Sequence, residues 1–218
     1  MPRPPRILQD EYPYHVSTKT AGRIFAFRDW TYKIIIQVLI EAQKRYDVHI
    51  HHFKMMHTHY HMIVTTPSSN LSQFEWYINS QIAKRLNRRM GRKGHLWEKR
   101  FHASIVENET YLARCMKYAY RNGVKAGICA KASEDKQYST FDFYACGKTK
   151  EFVVTEACVY LMMGNTPAGR QRYFLATIDE PVSDEEIEAI KNGLRKLFYG
   201  SADFIEQMRW KYLVGRAA

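Results

Sequence analysis

Six of the nine histidines in this 218-residue chain lie between His49 and His61: His49, His51, His52, His57, His59 and His61. Imidazole is a common metal ligand and the side chain that titrates nearest neutral pH, so such crowding points to metal or proton chemistry. The apolar and β-branched run Met62-Ile63-Val64-Thr65 predicts a strand over 59–65. Alternation then sets His59, His61 and Ile63 on one face and Tyr60, Met62 and Val64 on the other. A sheet with helices on one side only would bury the second set. Two imidazoles would converge on the open side, half of a metal site. The plainer alternative is that these histidines are merely tolerated on a half-exposed strand.

A second group of reactive side chains lies further on. Tyr111, Cys115, Tyr118 and Asn122 fall at i, i+4, i+7 and i+11, so one helix face offers a phenol and, a turn later, an amide oxygen. Laid across the open face of the sheet, that helix would let Asn122 complete a metal site begun by His59 and His61, with Tyr118 beside it. The alternative is a packing aromatic and a helix C-cap. Between these groups runs a basic stretch, Lys84, Arg85, Arg88, Arg89, Arg92 and Lys93, followed by Trp97, Lys99 and Arg100. Glu98 is the only acid between Lys84 and Arg100. Arg85, Arg88 and Arg89 share one helical side, which makes a ridge suited to phosphate. A solvated helix face is the other reading.

Positioning these groups requires a definite set of elements. Tyr14 to Lys19 reads as a first strand, and Asp29 as the cap of a helix with Ile34, Ile35, Val38, Leu39, Ala42 and Tyr46 at helical spacing. Residues 48–56 and 59–65 form a hairpin. Asn70 with Gln73 resembles a capping box ahead of a helix whose stripe is Leu71, Phe74, Ile78, Ile82 and Leu86. Leu96 to Val106 returns as extended chain. Asn108 caps the tyrosine helix, which is expected to end at Asn122-Gly123 with Gly supplying a left-handed terminus. The order strand, helix, strand, strand, helix, strand predicts an α+β fold, a ferredoxin-like sandwich with an antiparallel sheet and both helices on one face. Residues 1–128 form that domain. Residues 129–218 are expected as a small helical extension, with helices opened by Ser183 and near Ser201.

Composition bounds the rest. Hydrophobic residues make up 45% of the chain, enough for a real core, and the net charge is +11. Residues 131–218 hold 12 Lys and Arg against 13 Asp and Glu, leaving 21 basic and 9 acidic residues in 1–130. A polyanion surface therefore belongs to the histidine-bearing part. Cys115, Cys129, Cys146 and Cys158 have no Cys-x-x-Cys spacing, and Met1-Pro-Arg-Pro-Pro-Arg carries no apolar signal region. Both fit a reducing cytoplasm. No apolar run approaches the roughly 20 residues that span a bilayer, so no membrane partner is expected.

The motifs resemble a known family. His59-Tyr60-His61, with Met56 before it and Met62-Ile63-Val64 after it, is similar to the His-hydrophobe-His motif of the HUH single-tyrosine transposases. Lys117-Tyr118-Ala119-Tyr120-Arg121-Asn122-Gly123-Val124-Lys125-Ala126-Gly127 resembles the tyrosine-helix signature of their REP-associated, IS200-like branch. Gly94 to Phe101 resembles the family's Gly-x-hydrophobe-Trp stretch, and Tyr14-His15-Val16 its opening strand. The likeness covers roughly 12–128. This chain departs from the pattern at His57-Thr58, where Pro-Asn is frequent, and at Gly123 and Lys125, where Pro and Arg stand.

The resemblance implies a transposase that cuts single-stranded DNA through a 5'-phosphotyrosine at hairpin-flanked sites. Tyr118 would be the nucleophile, His59, His61 and Asn122 the metal ligands, and Mg2+ or Mn2+ the cofactor. The protein would act as a monomer or homodimer. Two other classes stay open: a catalytically inactive derivative kept as a nucleic-acid-binding regulator, and a zinc-binding structural protein.

Overall fold

The computed structural model of the chain describes residues 6–24 and 26–214. Met1 to Pro5, part of the stretch read as lacking a signal region, and the last four residues of the expected extension lie outside the described residues. The sheet contains β1 (Tyr14–Lys19), β2 (His49–Met55), β3 (His59–Thr65), β4 (His102–Val106) and β5 (Phe198–Tyr199), in the order β2-β3-β1-β4-β5. β1 runs antiparallel to β3 and β4, and β2 antiparallel to β3. With α1 (Asp29–Gln43) after β1 and α2 (Leu71–Arg89) after β3, the first six elements follow the predicted order. The fold is α+β. β5 adds parallel to β4, so the sheet is mixed and not wholly antiparallel.

Alternation along β3 divides the protein into two cores. Tyr60, Met62 and Val64, with Val16 and Phe53, pack on Ile35, Val38 and Leu39 of α1 and on the predicted stripe of α2. The helix starts differ in detail from the sequence expectation. Asn70 has φ −101° and ψ 20°, not the extended backbone of an N-cap, and its side chain makes no capping bond. Asp29 is already the first residue of α1, and Thr31 closes the turn by bonding Arg28 through N (2.5 Å) and O (2.6 Å).

The second face, expected to be open, is covered. After β4 come α3 (Glu109–Tyr120), α4 (Asn122–Lys125), α5 (Phe141–Cys146), α6 (Cys158–Leu161), α7 (Pro167–Ile178), α8 (Asp184–Leu194) and, after β5, α9 (Ala202–Arg209). Ile63 and Val106 point to this side and would be exposed without a second layer. They are buried with Leu112, Met116, Tyr120, Phe141, Tyr144, Phe174 and Ile190. α9 returns to the first core through Phe204 and Met208. Residues 129–214 thus contribute a strand and, with α3 and α4, the second layer. Their caps form as expected: Ser183 accepts from Glu186 N (3.2 Å) and Ser201 from Phe204 N (3.2 Å). Among the described residues no helix is long and apolar enough to cross a membrane.

A polar anchor crosses the first core. The Tyr60 hydroxyl donates to Glu75 Oε2 (2.9 Å) and Asn79 Oδ1 (3.2 Å), tying β3 to α2. Glu75 is fully buried, and burial raises its pKa from 4.5 to about 7. The folded state therefore holds a proton between these pH values that the unfolded chain has released. Glu75 therefore contributes about 3 kcal/mol of stability that is fully present below pH 4.5 and is lost as pH rises through 7, opposed by the buried neutral histidines, whose contribution grows as pH rises toward 6.5. Urea unfolding reads this as a difference: the stability of the wild type relative to Glu75→Gln should fall as pH rises from 4.5 through 7, and a difference that does not change with pH would assign the effect to another group.

Candidate active site

Strand register assembles the site. Ser17 of β1 and Lys54 of β2 lie opposite His61, Lys19 lies opposite His59, and His102 of β4 lies opposite Ser17. Opposed residues share a face. Lys54, His61, Ser17 and His102 therefore form a polar row across the second face, with His59 and Lys19 one step along it. His15, Ser17, Lys19 and His102 were not singled out from the sequence as site residues. The signal was present in β1, whose alternation puts His15, Ser17 and Lys19 on one side.

The two imidazoles are placed close together, with ring centroids 5.0 Å apart. His61 Nδ1 pairs with His15 Nε2 at 3.0 Å, and His59 Nδ1 with Thr58 Oγ1 at 3.0 Å. These bonds leave both Nε2 atoms for another partner. Burial lowers the pKa of His59 to about 4, helped by Lys19, and holds His61 well below its ordinary value, helped by His59 and His15. Both are neutral at pH 7, the form that binds metal. The neighbouring histidines have other partners. His52 Nδ1 meets Thr140 Oγ1 (3.2 Å) under the Tyr120 ring, and His51 spans Thr155 O and Thr65 Oγ1, each at 3.1 Å.

α3 brings the phenol to them. Asn108 caps it as expected, accepting from the Thr110 and Tyr111 amides. The Tyr118 ring stands edge-on to His61 with centroids 6.0 Å apart. Burial raises the Tyr118 pKa, Arg195 opposes that shift and Glu188 adds to it. Tyr120, two residues on, lies in the second core with its hydroxyl 3.1 Å from Thr140 Oγ1. Asn122 Nδ2 donates to the carbonyls of Tyr118 (3.1 Å) and Ala119 (3.2 Å), which turns Oδ1 away from the helix.

The end of this helix differs from expectation. α3 stops at Tyr120 and Asn122 opens α4, while the left-handed glycine is Gly127, with φ 68°. Gly123 is needed for a different reason: a Cβ there would collide with the Asp135 carboxylate. Asp135 Oδ1 is 2.6 Å from Lys54 Nζ, and Lys54 also donates to the carbonyls of Asp135 (3.1 Å) and Gln137 (3.0 Å). Glycine at a position where the family pattern carries Pro therefore makes room for a buried ion pair beside Asn122. A bulge between Ile50 and His52 had hidden Lys54. It sends Ile50, Phe53 and Met55 to the first core, so simple alternation along β2 fails.

The basic ridge lies on α2, across the sheet from the imidazoles. Lys84, Arg88 and Lys93 are exposed, as is Arg89, whose guanidinium lies 5.1 Å above the Trp30 ring. Lys99 and Arg100 are exposed on the following loop, Lys99 3.7 Å from Glu98. Arg85 is paired with Glu41 at 2.5 Å, and Arg92 is half-buried. Trp97 turns inward: its Nε1 donates to Asn79 O (2.8 Å) and its ring packs by Phe27 and Tyr60, so it is no stacking platform on the surface.

Comparison with known proteins gives the family and the fold. The model of the family described as Transposase IS200 like matches residues 9–122. The chain belongs to the IS200-like transposases. The fold of this transposase is shared with a REP-associated tyrosine transposase solved bound to a REP hairpin, at 21% identity and a TM-score of 0.58, over 73% of this chain and 96% of that one. A crystal structure from Deinococcus radiodurans r1 has 16% identity and a TM-score of 0.39, over 52% of this chain and 92% of the other. No curated protein matches this transposase.

The buried pair in this transposase gives a test of the architecture. Lys54→Met would leave the Asp135 carboxylate buried without its cation, at a cost of about 3–5 kcal/mol. Lys54→Met with Asp135→Leu should recover most of that loss in urea unfolding. Equal losses in single and double variants would show that packing, not charge, is what Lys54 provides.

Proposed function

We propose that this transposase is a metal-dependent single-strand DNA nickase and strand transferase, with Tyr118 as nucleophile and His59, His61 and Asn122 as metal ligands. The observation that carries the reading is the convergence of one phenol and two neutral imidazoles on the same sheet face. Two imidazole nitrogens and one amide oxygen suit Mg2+ or, more readily, Mn2+, and leave coordination positions for phosphate and water. When bound, such an ion supplies Lewis-acid polarisation and in-line orientation of the scissile phosphate.

The remaining chemistry belongs to the chain. Tyr118 Oη forms a bond to phosphorus as the bond to the 3'-oxygen breaks. The phenol gives up its proton and the leaving 3'-oxygen takes one up. The products are a 5'-phosphotyrosine and a free 3'-hydroxyl, and attack by a second 3'-hydroxyl reverses the step and joins strands. The ester conserves the bond energy, so no nucleotide is consumed, and a phenolate leaves readily. Burial keeps the Tyr118 proton on at neutral pH, so the cations around it, Arg195 among them, have to favour its loss. Lys19 lies opposite His59, and its ammonium is the cation we assign to the incoming phosphate. The substrate we assign is single-stranded DNA flanked by a hairpin, in keeping with the REP hairpin held by the solved relative of similar fold. The exposed members of the ridge, Lys84, Arg88, Arg89, Lys93, Lys99 and Arg100, would hold duplex or flanking backbone on the far side of the sheet.

Incubating the protein with Mn2+ and hairpin-bearing strands from the flanks of its own gene should give a covalent adduct. Tyr118→Phe should abolish the adduct while keeping DNA binding, and Tyr120→Phe should still form it, losing only about 1 kcal/mol of stability with its Thr140 bond. His59→Ala and His61→Ala should each remove Mn2+ binding in calorimetry. Binding without any adduct would instead favour a non-catalytic regulator.

The ridge has its own measurement. Replacing Arg88 and Arg89 with alanine should flatten the log-log salt dependence of single-strand binding by roughly 0.7 for each phosphate that is no longer neutralised. Arg85→Ala, which breaks the pair with Glu41, should leave that slope unchanged.

A further inference from the structure

A cavity of about 250 Å3 opens beside Tyr118, between α3 on one side and α7 and α8 on the other. Tyr118 and Asn122 form one wall; Phe174, Val182, Ile187 and Ile190 form the facing one. The Tyr118 ring thus has His61 at its edge and this cavity along its flank. Arg114 and Lys117 of α3, Arg121 at the junction and Lys125 of α4 also line it, against Glu180 and Glu186 from the other side. Lys117 reaches Glu180 at 3.1 Å, and Arg121 Nε is buried with no hydrogen-bond partner among the described residues.

We infer that this cavity receives one unpaired base of the DNA strand, that of a nucleotide next to the scissile phosphate. The inference rests on the role proposed for Tyr118. Its oxygen must come within about 3–3.5 Å of the phosphorus it attacks. The nucleosides on either side of that phosphate then lie within one backbone unit of the tyrosine. Their bases cannot stay stacked in a duplex while the phosphate is pressed between α3 and the sheet. A space with aliphatic and aromatic walls and a basic surround has the chemistry for such a base: a flat apolar group bonded to a phosphate. Its volume admits one small planar group, not a helix or a second strand.

The facing wall comes from α7, α8 and the turn between them, beyond residues 9–122 that match the family. The base is therefore held in part by residues that the family model does not cover. α8 closes over α4 through Lys125 and Glu188 at 4.0 Å, while Ile187 and Val182 stay half-buried at the cavity. Both can be enlarged without entering the second core.

The test uses the full-length protein and hairpin oligonucleotides from the gene's flanks, with 2-aminopurine placed singly on each side of the mapped cut. One position should change fluorescence on binding and its neighbours should not. An abasic site at that position should weaken binding by about tenfold, within the range of one stacked base. Ile187→Trp, which fills the cavity, should remove the fluorescence change, weaken intact DNA to the same degree and make the abasic substitution neutral. Val182→Trp should behave likewise. Uniform fluorescence at all positions, or tryptophan variants that bind and discriminate as the wild type does, would overturn the inference. Failure of the Tyr118 assignment is distinguished from this, since the fluorescence reports binding and the unmodified strand reports cutting.

Discussion

The site depends on keeping two imidazoles neutral on a sheet face while one nitrogen of each stays available. Neutrality follows from burial. His61 lies between β3 and α3 at 6% exposure, and an imidazolium there would forgo water with no carboxylate opposite it in β1 or β2. Availability follows from the bonds of His61 to His15 and of His59 to Thr58, each of which occupies Nδ1 and leaves Nε2. The second layer of helices is what creates that burial. Without α3 to α8 the same strand would carry two solvated, titrating histidines.

The strand bearing them is held from both sides. Tyr60, between the two histidines, points into the first core and bonds Glu75 and Asn79 on α2, while His61 bonds His15 on the other face. Asn79 O in turn accepts from Trp97, so the stretch after α2 closes on the same anchor. A phenol at the middle position thus fixes the strand's height against α2. Placement of the imidazoles is a property of both cores, not of the site face alone.

A comparable dependence links Asn122 to the chain beyond it. Asp135, in the connection after α4, enters the space that Gly123 leaves and pairs with Lys54 on β2. Sheet, tyrosine helix and connecting loop meet at one buried ion pair. Such a pair contributes little net stability but penalises any arrangement that separates its members. It therefore specifies where the turn after Tyr118 sits, and it gives the departure from the family's proline a physical reason.

The sequence by itself determined the features that arise from neighbours along the chain. Alternation in 59–65 separated His59 and His61 from Tyr60 and Met62; helical rotation separated Tyr118 from Tyr120; and Asn108, Ser183 and Ser201 cap helices where their residue types predict. Tertiary structure decided what depends on residues far apart. The second face is covered and not open, because Phe141, Tyr144, Phe174 and Ile190, each ambiguous alone, share one apolar core with Ile63 and Val106. Trp97 and Arg85 left the expected DNA surface because Asn79 and Glu41 lie within reach of them only after folding. Lys54 and His15 joined the site through strand register and a bulge, which no periodicity within a single segment encodes, since register is set by pairing between strands.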